Sequence, residues 1–596
     1  TGPIIAISIV LIAVYVPVGF QGGMTGKLFT EFAFTLAGAV AVSAVIALTL
    51  SPVMCARLFK GAQQEGRLAK QIDHNLDVTR SIYQKMLHVV LESWPIAVTF
   101  GVIVIGLIFV LAEFSQKELA PPEDLGVFIG ITTGAADATS QQMASYGKQV
   151  REAAAHFPEL NKSFVQFDGF GNVTNRSFAP MTLIPWDERN RTSIDISKEL
   201  QKYFDQIAGA QIVVYLPPSL PGGSSGLPLN FVIKTTEPFR NLYEVSESLL
   251  QKARESGIFY YVANELKYDK PQTRLIIDRD KAAALGITMR DIGGALSSML
   301  GGGYVNYFSM EGRAYKVIPQ VAQSDRLNPD MLQNYHFRTA SGASIPASTL
   351  ISMQTETVPQ AIAHFQQLNS ATIGGVTSLP LGDALERMRE LAAQVLPQGY
   401  QIDYGGQSRQ TMQESNNFAT TLAFAILVIF LVLAAQFESF RDPLIVMISV
   451  PMAIFGAMIF IFLGAATFNI YTQVGLITLV GLIAKHGILI VEYANEEQRR
   501  GKSKLEAIQI AAGIRLRPIL MTTAAMVLGA LPLVFSSGAG AASRNAMGIV
   551  IATGISIGTL FTLFIVPAMY LALAADHAAQ QARHNAETIE PLPGKH

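Results

Sequence analysis

The stretch YTQVGLITLVGLIAKHGILIVEYAN, residues 471–495, decides how the rest of the chain is read. It is long and apolar enough to cross a hydrocarbon core about 30 Å thick as one helix. Near its middle stand Lys485 and His486. A charged side chain at that depth costs about 2.5–3.5 kcal/mol even on the lenient insertion scale, so it faces a bundle interior and finds a partner. Lys485 lies too deep to snorkel easily to an interface. Residue type alone leaves two readings open: a structural ion pair between helices, or a proton or ion pathway through the membrane.

Composition agrees with a membrane protein: 596 residues exceed a single domain, and 50% are hydrophobic against 15% charged. The net charge of −1 argues against a nucleic-acid partner. The one cysteine, Cys55, rules out an intramolecular disulfide and is read as helix packing. No G-x-x-x-x-G-K-[ST] phosphate loop is present, and GGMTGKL at 22–28 has the wrong spacing, so nothing points to ATP. No H-x-x-x-H or C-x-x-C metal spacing, G-x-S-x-G elbow or close carboxylate pair appears. Neither a catalytic centre nor a cofactor is therefore expected. The methionines at 143, 181, 289, 299, 310, 331, 353 and 388 are scattered on helical and strand patterns. They read as core packing before they read as soft-metal ligands.

Apolar runs of spanning length fall near 3–20, 31–52, 94–113, 416–436, 443–464, 472–494, 518–536 and 546–574, in groups of three and five around a long polar segment. Basic residues concentrate in 57–90 and in 495–517, with Arg441 in the short turn FESFRDP. If the spans alternate, these loops share one side, which the positive-inside rule makes cytoplasmic. The segment from about 114 to 411 then lies outside the cytoplasm, and the C-terminal tail inside.

The first two spans repeat the last two at a fixed offset of 515 residues. Pro3, Pro17, Phe20, Gly23, Pro52 and Met54 meet Pro518, Pro532, Phe535, Gly538, Pro567 and Met569 without a gap. Both copies run in the same direction, so the repeat axis lies along the membrane normal, a known transporter architecture. The second copy holds six spans with a large loop after its first, whereas the first copy shows only its last two. The repeat, and an opening at Thr1 with no methionine or charged leader, predict four more helices and a second large loop ahead of this sequence. The fold class expected is a multi-pass α-helical membrane protein, with eight of twelve transmembrane helices present and a periplasmic α+β region.

That outer region reads as two split βαβ, ferredoxin-like units. The first runs through strand GVFIGITT (126–133), helix 140–157, strand KSFVQFDGF (162–170), strand PMTLIPW (180–186), helix 192–209 and strand AQIVVYLPP (210–218). The second begins with LNFVIKTT (229–236) and the helix 241–255. It resumes after an insertion at about 272–360 with SATIGGV (370–376), LGDALERMRELAAQV (381–395) and YQIDYGG (400–406).

The polar membrane residues are the informative ones. Glu492 is seven residues beyond Lys485, on nearly the same helix face, and reads as a solvated end. Arg515 and Arg517 open the seventh span, with Thr522 further in; a positive-inside anchor is the plain reading of the pair and is preferred for Arg517. No aspartate lies inside any of the eight spans, so the partner of Lys485 is expected on the helix that mirrors 472–494.

The runs GLIAKHGILIVEYAN, IRLRPILMTT, LPLVFSSGAGAASRNAMG and VPAMY resemble the resistance–nodulation–division (RND) permeases, and most closely their AcrB-like hydrophobe/amphiphile efflux branch. VPVGFQGGMTGKLFTEF, LAPPEDLGVF, PWDERN, AAALGITMRDI, GGGYVNYF and FESFRDP fit the same family, so the likeness runs from Thr1 to about Ala575. It implies proton-driven secondary efflux of amphiphilic compounds from the bacterial inner membrane by a homotrimer, working with a periplasmic adaptor and an outer-membrane channel. Lys485, Arg515 and Thr522 match the family's proton relay. His486 stands where many members carry an amide and is a possible additional titrating group. The family's paired aspartates lie on a helix absent from this sequence, so the chain alone is not expected to pump.

The likeness also divides the chain. Residues 1–57 match the last two helices of the first repeat, 58–93 a cytoplasmic amphipathic connector, and 94–113 the first helix of the second repeat. Residues 114–228 match porter subdomain 1, and 229–271 with 361–411 porter subdomain 2. The docking subdomain is 272–360, the last five helices 412–575, and the cytoplasmic tail 576–596. The turn DGFGNVTNRSF (168–178) corresponds to a loop between the family's drug pockets, which puts Phe170, Phe167, Phe178 and Ile131 on the substrate path. The turn is short for the family and lacks a second loop phenylalanine, which leaves the substrate range open. Rival readings are a copper- or silver-exporting RND permease, a lipid- or protein-export accessory of the same fold, and a membrane-anchored enzyme.

Overall fold

A computed structural model describes residues 2–20, 22–58, 67–167, 174–220, 226–415 and 417–575. The chain opens with two antiparallel apolar helices, α1 (Gly2–Gly19) and α2 (Gly23–Leu58). The amphipathic helix α3 (Arg67–Glu92) follows, and then α4 (Trp94–Phe114), started by Pro95 in its first turn where no amide donor is needed.

The first α+β unit is built from β1 (Val127–Thr133), α5 (Ser140–Ala154), β2 (Leu160–Ser163), β3 (Gln166–Phe167), β4 (Arg176–Leu183), α6 (Ser193–Phe204) and β5 (Gln211–Tyr215). Its antiparallel sheet has the order β2–β4–β1–β5, with β3 also on β4, which is the split βαβ topology. Alternation sends Phe128, Ala179, Met181, Ile212 and Val214 into the core against Ile196 and Leu200 of α6. Each such buried side chain contributes about 1.5–3 kcal/mol. The strand expected over 162–170 appears as β2 and β3, which pair with β4 in one register: Ser163 meets Met181, Gln166 meets Phe178, and Phe164 N between them donates to the Pro180 carbonyl at 3.1 Å. Residues 168–173, which include Phe170, lie outside the described residues.

The second unit starts with β6 (Leu229–Thr235), α7 (Phe239–Glu255) and β7 (Phe259–Asn264). An insertion then leaves on β8 (Lys270–Ile277) and returns on the antiparallel β13 (Ile351–Val358). Between these stem strands lie α8 (Arg279–Ala284), α9 (Met289–Leu300), the hairpin β9 (Asn306–Met310) and β10 (Arg313–Val317), and the small ladder β11 (His336–Arg338) and β12 (Ser344–Pro346). The unit closes with β14 (Ala363–Phe365), β15 (Leu368–Thr377), α10 (Leu381–Val395) and β16 (Gln401–Tyr404), giving the sheet order β14–β15–β6–β16 with β7 on β15. It thus repeats the topology of the first unit. A short helix, α11 (Gly406–Ser415), leads back to the bundle.

The bundle is completed by α12 (Asn417–Phe437), α13 (Arg441–Met447), α14 (Ser449–Phe462), α15 (Ile470–Arg499), α16 (Lys504–Val534) and α17 (Ala541–Leu573). Among the described residues seven helical stretches are long and apolar enough to cross a membrane, and α1 adds the shorter apolar run Ile7–Pro17. The single span expected at 443–464 is present as Arg441–Phe462, with a local irregularity at Ile448, whose backbone stays helical at φ −64° and ψ −21°. Ser449 Oγ donates to the Val446 carbonyl at 2.7 Å, and Pro451 removes an amide donor from the following turn. The repeated hairpins end in register: α1 and α2 stop at Gly19 and Leu58, and α16 and α17 stop 515 residues later at Val534 and Leu573.

Helix α15 is the centre of the bundle, packed by α1, α14, α16 and α17, with Val480, Ile483, Ala484, Ile488 and Val491 fully buried. A capping box fixes its start: Asn469 accepts from the Tyr471 and Thr472 amides, and Thr472 reaches back to the Asn469 amide. Close contact of α14 with α17 depends on glycine. A Cβ on Gly456 would lie 2.7 Å from Ile557 Cβ, and one on Gly558 2.7 Å from Ala453 Cα. Without a hydrophobic drive between helices in lipid, such small-residue contacts supply the dispersion that holds them together.

Candidate functional site

Four polar side chains lie halfway along three neighbouring helices: Lys485 and His486 on α15, Thr522 on α16, and Thr559 on α17. His486 is fully buried. Its Nε2 is 3.5 Å from Thr522 Oγ1 and its Nδ1 is 3.3 Å from Thr559 Oγ1. Thr522 already donates its hydroxyl proton to the Ile519 carbonyl at 3.0 Å, so it accepts from His486 Nε2–H. Nδ1 is then the acceptor, and Thr559 donates to it. Thr559 in turn stands 3.2 Å from Thr523 Oγ1, which completes the chain by donating to it. One oriented line therefore runs Thr523, Thr559, His486, Thr522, Ile519 carbonyl across α15, α16 and α17.

Lys485 is half-buried, one residue from this line, on the face of α15 that also carries Thr478, Gly481 and Glu492. That face turns toward α1, since a Cβ on Gly481 would lie 3.0 Å from Val14. Neither Lys485 nor Arg515 makes a hydrogen bond or ion pair to the other among the described residues. The Arg515 guanidinium lies over the Tyr493 ring at 4.9 Å, and its Nε is buried without a partner there. Arg517 pairs with Asp73 of α3 at 2.8 Å, tying the connector helix to α16.

Two features escaped the sequence reading. Thr559 is one of two hydroxyl residues in GISIGTL, 73 residues from its histidine partner. Asp442 sits one residue outside the span read at 443–464, yet it is buried. Asn495 Nδ2 donates to its Oδ2 at 3.0 Å, Tyr570 OH donates to Asn495 Oδ1 at 2.7 Å, and Gln498 Nε2 donates to Tyr570 OH at 2.6 Å. This network fastens α13, α15 and α17 at the end of the bundle away from the α+β units.

On the α+β side a cavity of about 1260 Å³ opens between the two units, walled by α6 and β5 of the first, Tyr260 and Tyr261 of the second, and floored by Glu118 to Ala120. Ile131 and Phe178 are direct cross-strand partners, both half-buried, and Val213 opposes Ile131 on the other side. These three share the sheet face opposite the core, and Val213 lines the cavity. Phe167 ends β3 beside Ser177 of β4. Ile131, Phe167 and Phe178 are thus joined on one sheet, while Phe170 lies outside the described residues.

Ionisable groups buried at mid-depth are costly in an apolar bundle and in membrane proteins commonly accompany routes for ions or protons. A cavity on the attached α+β units marks a place for cargo. Together they define the class as a multi-pass membrane transporter. Residues 1–574 match the AcrB/AcrD/AcrF family, and the chain belongs to it, within the RND permeases. It is 43% identical over 588 residues to an uncharacterized transporter of Haemophilus influenzae, covering 96% of this chain and 56% of that protein. It is 31% identical over 599 residues to the multidrug export protein AcrF of Escherichia coli K12, covering 96% and 57%. Against the toluene efflux pump membrane transporter TtgB of Pseudomonas putida it is 30% identical over 591 residues, covering 96% and 56%. The chain spans about half the length of these curated relatives.

Proposed function

We propose that the protein exports drugs and other amphiphilic compounds across the bacterial inner membrane in exchange for protons. In this reading it is the homotrimeric permease of a tripartite pump with a periplasmic adaptor and an outer-membrane channel. The observation that carries the reading is the polar line through His486, bridging three helices at mid-bundle beside Lys485. Similarity to relatives named as a multidrug export protein and a toluene efflux pump supports amphiphiles as the cargo. The two α+β units are taken as porter subdomains and the insertion between β8 and β13 as the docking subdomain.

Mechanistically, Lys485 pairs with a carboxylate contributed from the α1 side. Protonation of that carboxylate discharges the pair, and Lys485 then loses the partner that offsets its desolvation. Helix α15 shifts, and with it the hydroxyls of Thr522 and Thr559 that His486 ties to it. Arg515 keeps a positive charge near the end of α15 where Glu492 lies. Cargo passes along the apolar sheet face of Ile131 and Phe178 and through the adjoining cavity, with Phe167 and Phe170 assigned to the same path by the family likeness, since aromatic and aliphatic walls suit amphiphiles of varied shape.

The test is dye accumulation in an efflux-deficient host expressing the full-length protein. Wild type is expected to keep cells dark until a protonophore is added, and Lys485→Met to leave them bright at equal expression. Full export by Lys485→Met would refute the mechanism.

A further inference from the structure

The linker between α4 and β1, residues 115–126, ties the starts of α15 and α17 in the bundle to both α+β units. Its backbone joins the loop before α15: Phe468 N donates to the Gln116 carbonyl at 2.8 Å, Glu118 N to the Phe468 carbonyl at 3.2 Å, and Ile470 N to the Leu119 carbonyl at 3.1 Å. Its side chains then reach three helix starts. Glu118 accepts from the Thr467 hydroxyl, and Thr467 in turn accepts from Asn469 Nδ2 at 2.8 Å, the residue that caps α15. Glu123 is buried and accepts from the Ala542 and Ser543 amides at the start of α17, at 3.2 and 2.7 Å. Asp124 accepts from the Ser193 amide at the start of α6, at 3.0 Å. The linker also packs on the second unit, where a Cβ on Gly382 of α10 would lie 2.8 Å from the Lys117 carbonyl.

Within this strap Glu118 differs from its neighbours. Glu123 and Asp124 are tied by backbone amides, which hold a carboxylate whatever the cavity contains. Glu118 is held by a single hydroxyl, and it also lines the cavity floor. One side chain therefore touches both the cargo space and the cap of the helix that carries Lys485 and His486.

We propose that Glu118 is the positioning residue that couples the cavity to α15, its bond to Thr467 holding the α15 cap while the carboxylate is charged and loosening when the charge is lost. The proposal rests on the transport reading above for what α15 drives, but the bond itself does not. A charged acceptor makes a hydrogen bond roughly twice as strong as a neutral one, so neutralising it weakens the link without removing it. The charged group acting on Glu118 is Asp383 from the first turn of α10, which in turn feels Lys117 of the linker, itself paired with Glu113 at 3.3 Å. Burial raises the Glu118 carboxyl to about 6; the Thr467 hydroxyl opposes the rise and Asp383 adds to it. Burial likewise raises Asp383, opposed by the Lys117 amide and charge. A carboxyl raised to that value changes charge in the mildly acidic range, and a cationic cargo beside it favours the charged, locked form.

The experiment uses the full-length protein in two measurements. The first is hydrogen exchange at the start of α15, corrected for the intrinsic pH dependence, from pH 5 to 8. Wild type is expected to be protected above about pH 6 and to open about fivefold more below it, as one weakened hydrogen bond predicts. Glu118→Gln and Thr467→Val are each expected to show the open level at every pH, and the double variant no more than either. The second is proton-driven transport, where Glu118→Gln is expected to lose the acid-side pH dependence of turnover with KM little changed, and Glu118→Asp to restore part of it. Exchange in Glu118→Gln that follows wild type at every pH overturns the coupling, whatever transport does. Altered exchange in a protein that moves no cargo under a proton gradient leaves the coupling standing and sinks the transport reading instead.

Discussion

Thr559 donates to His486 Nδ1 across 3.3 Å from a different helix, and that bond fixes the direction of the whole polar line. Because Nδ1 accepts, Nε2 carries the proton and gives it to Thr522. Removing the ring leaves the Thr559 hydroxyl proton without its acceptor, at about 1–3 kcal/mol, while Thr522 keeps its bond to the Ile519 carbonyl. His486→Leu is therefore expected to lower the thermal midpoint of the purified protein and to reduce export. His486→Asn retains one donor and one acceptor and should keep most of both. Equal behaviour of the two variants in unfolding scans and dye export would count against the line.

The Arg189–Asp124 pair makes a stability prediction with a pH sign. Arg189 Nη1 and Nη2 reach the two Asp124 oxygens at 2.8 and 2.7 Å, with the guanidinium side chain only 2% exposed. Burial pushes the Asp124 carboxyl up, but Arg189 and the Ser193 and Gly126 amides outweigh it and hold it below the ordinary carboxylate value. A depressed carboxyl contributes stability that is present above its unfolded value and lost as pH falls through its folded value. Arg189→Ala leaves the half-buried carboxylate on its two amide donors alone and should cost about 1–3 kcal/mol at neutral pH, with the gap to wild type narrowing in strong acid. Denaturation at several pH values reads both.

Gly558 tests the packing of α14 on α17. Gly558→Ala places a methyl 2.7 Å from Ala453 Cα, a backbone atom that cannot rotate away. Overpacking of this kind costs about 1–3 kcal/mol. Ala453→Gly on the same background removes the side-chain part of the clash alone, so it should recover only some of the loss in thermal midpoint.

Phe178 should alter cargo preference and leave folding intact. It is half-buried on the face opposite the first unit's core, opposite Ile131. Phe178→Ala is expected to reduce resistance to large aromatic compounds severalfold more than to small ones, with an unchanged thermal midpoint. A uniform loss accompanied by destabilisation would instead assign Phe178 to packing.

Much of this was legible in the residues because local pattern and global fold agree. Helix α10 runs over Leu381–Val395 as its amphipathic spacing predicts, and Pro380 marks its start. Capping boxes such as Thr192 with Asp195 and Ser503 with Glu506 announce α6 and α16. Hydropathy found the span at 443–464, which runs Arg441–Phe462, but it could not see the irregular turn at Ile448 within it. Nor could it find the partners of His486 and Asp442. Those bonds are made 36, 73 and 53 residues away, by side chains unremarkable where they stand in sequence. Lys485 stood out for the opposite reason, being costly wherever its partner lies.

The central claim is that proton movement through the Lys485 cluster drives export, and reconstituted transport tests it most directly. The full-length protein in proteoliposomes, given a pH gradient and a fluorescent amphiphile, should acidify or alkalinise the lumen in step with dye movement. Lys485→Met should abolish both fluxes while leaving dye binding and thermal stability near wild type. Dye transport by Lys485→Met at the wild-type rate, or wild-type transport indifferent to the gradient, would contradict the account.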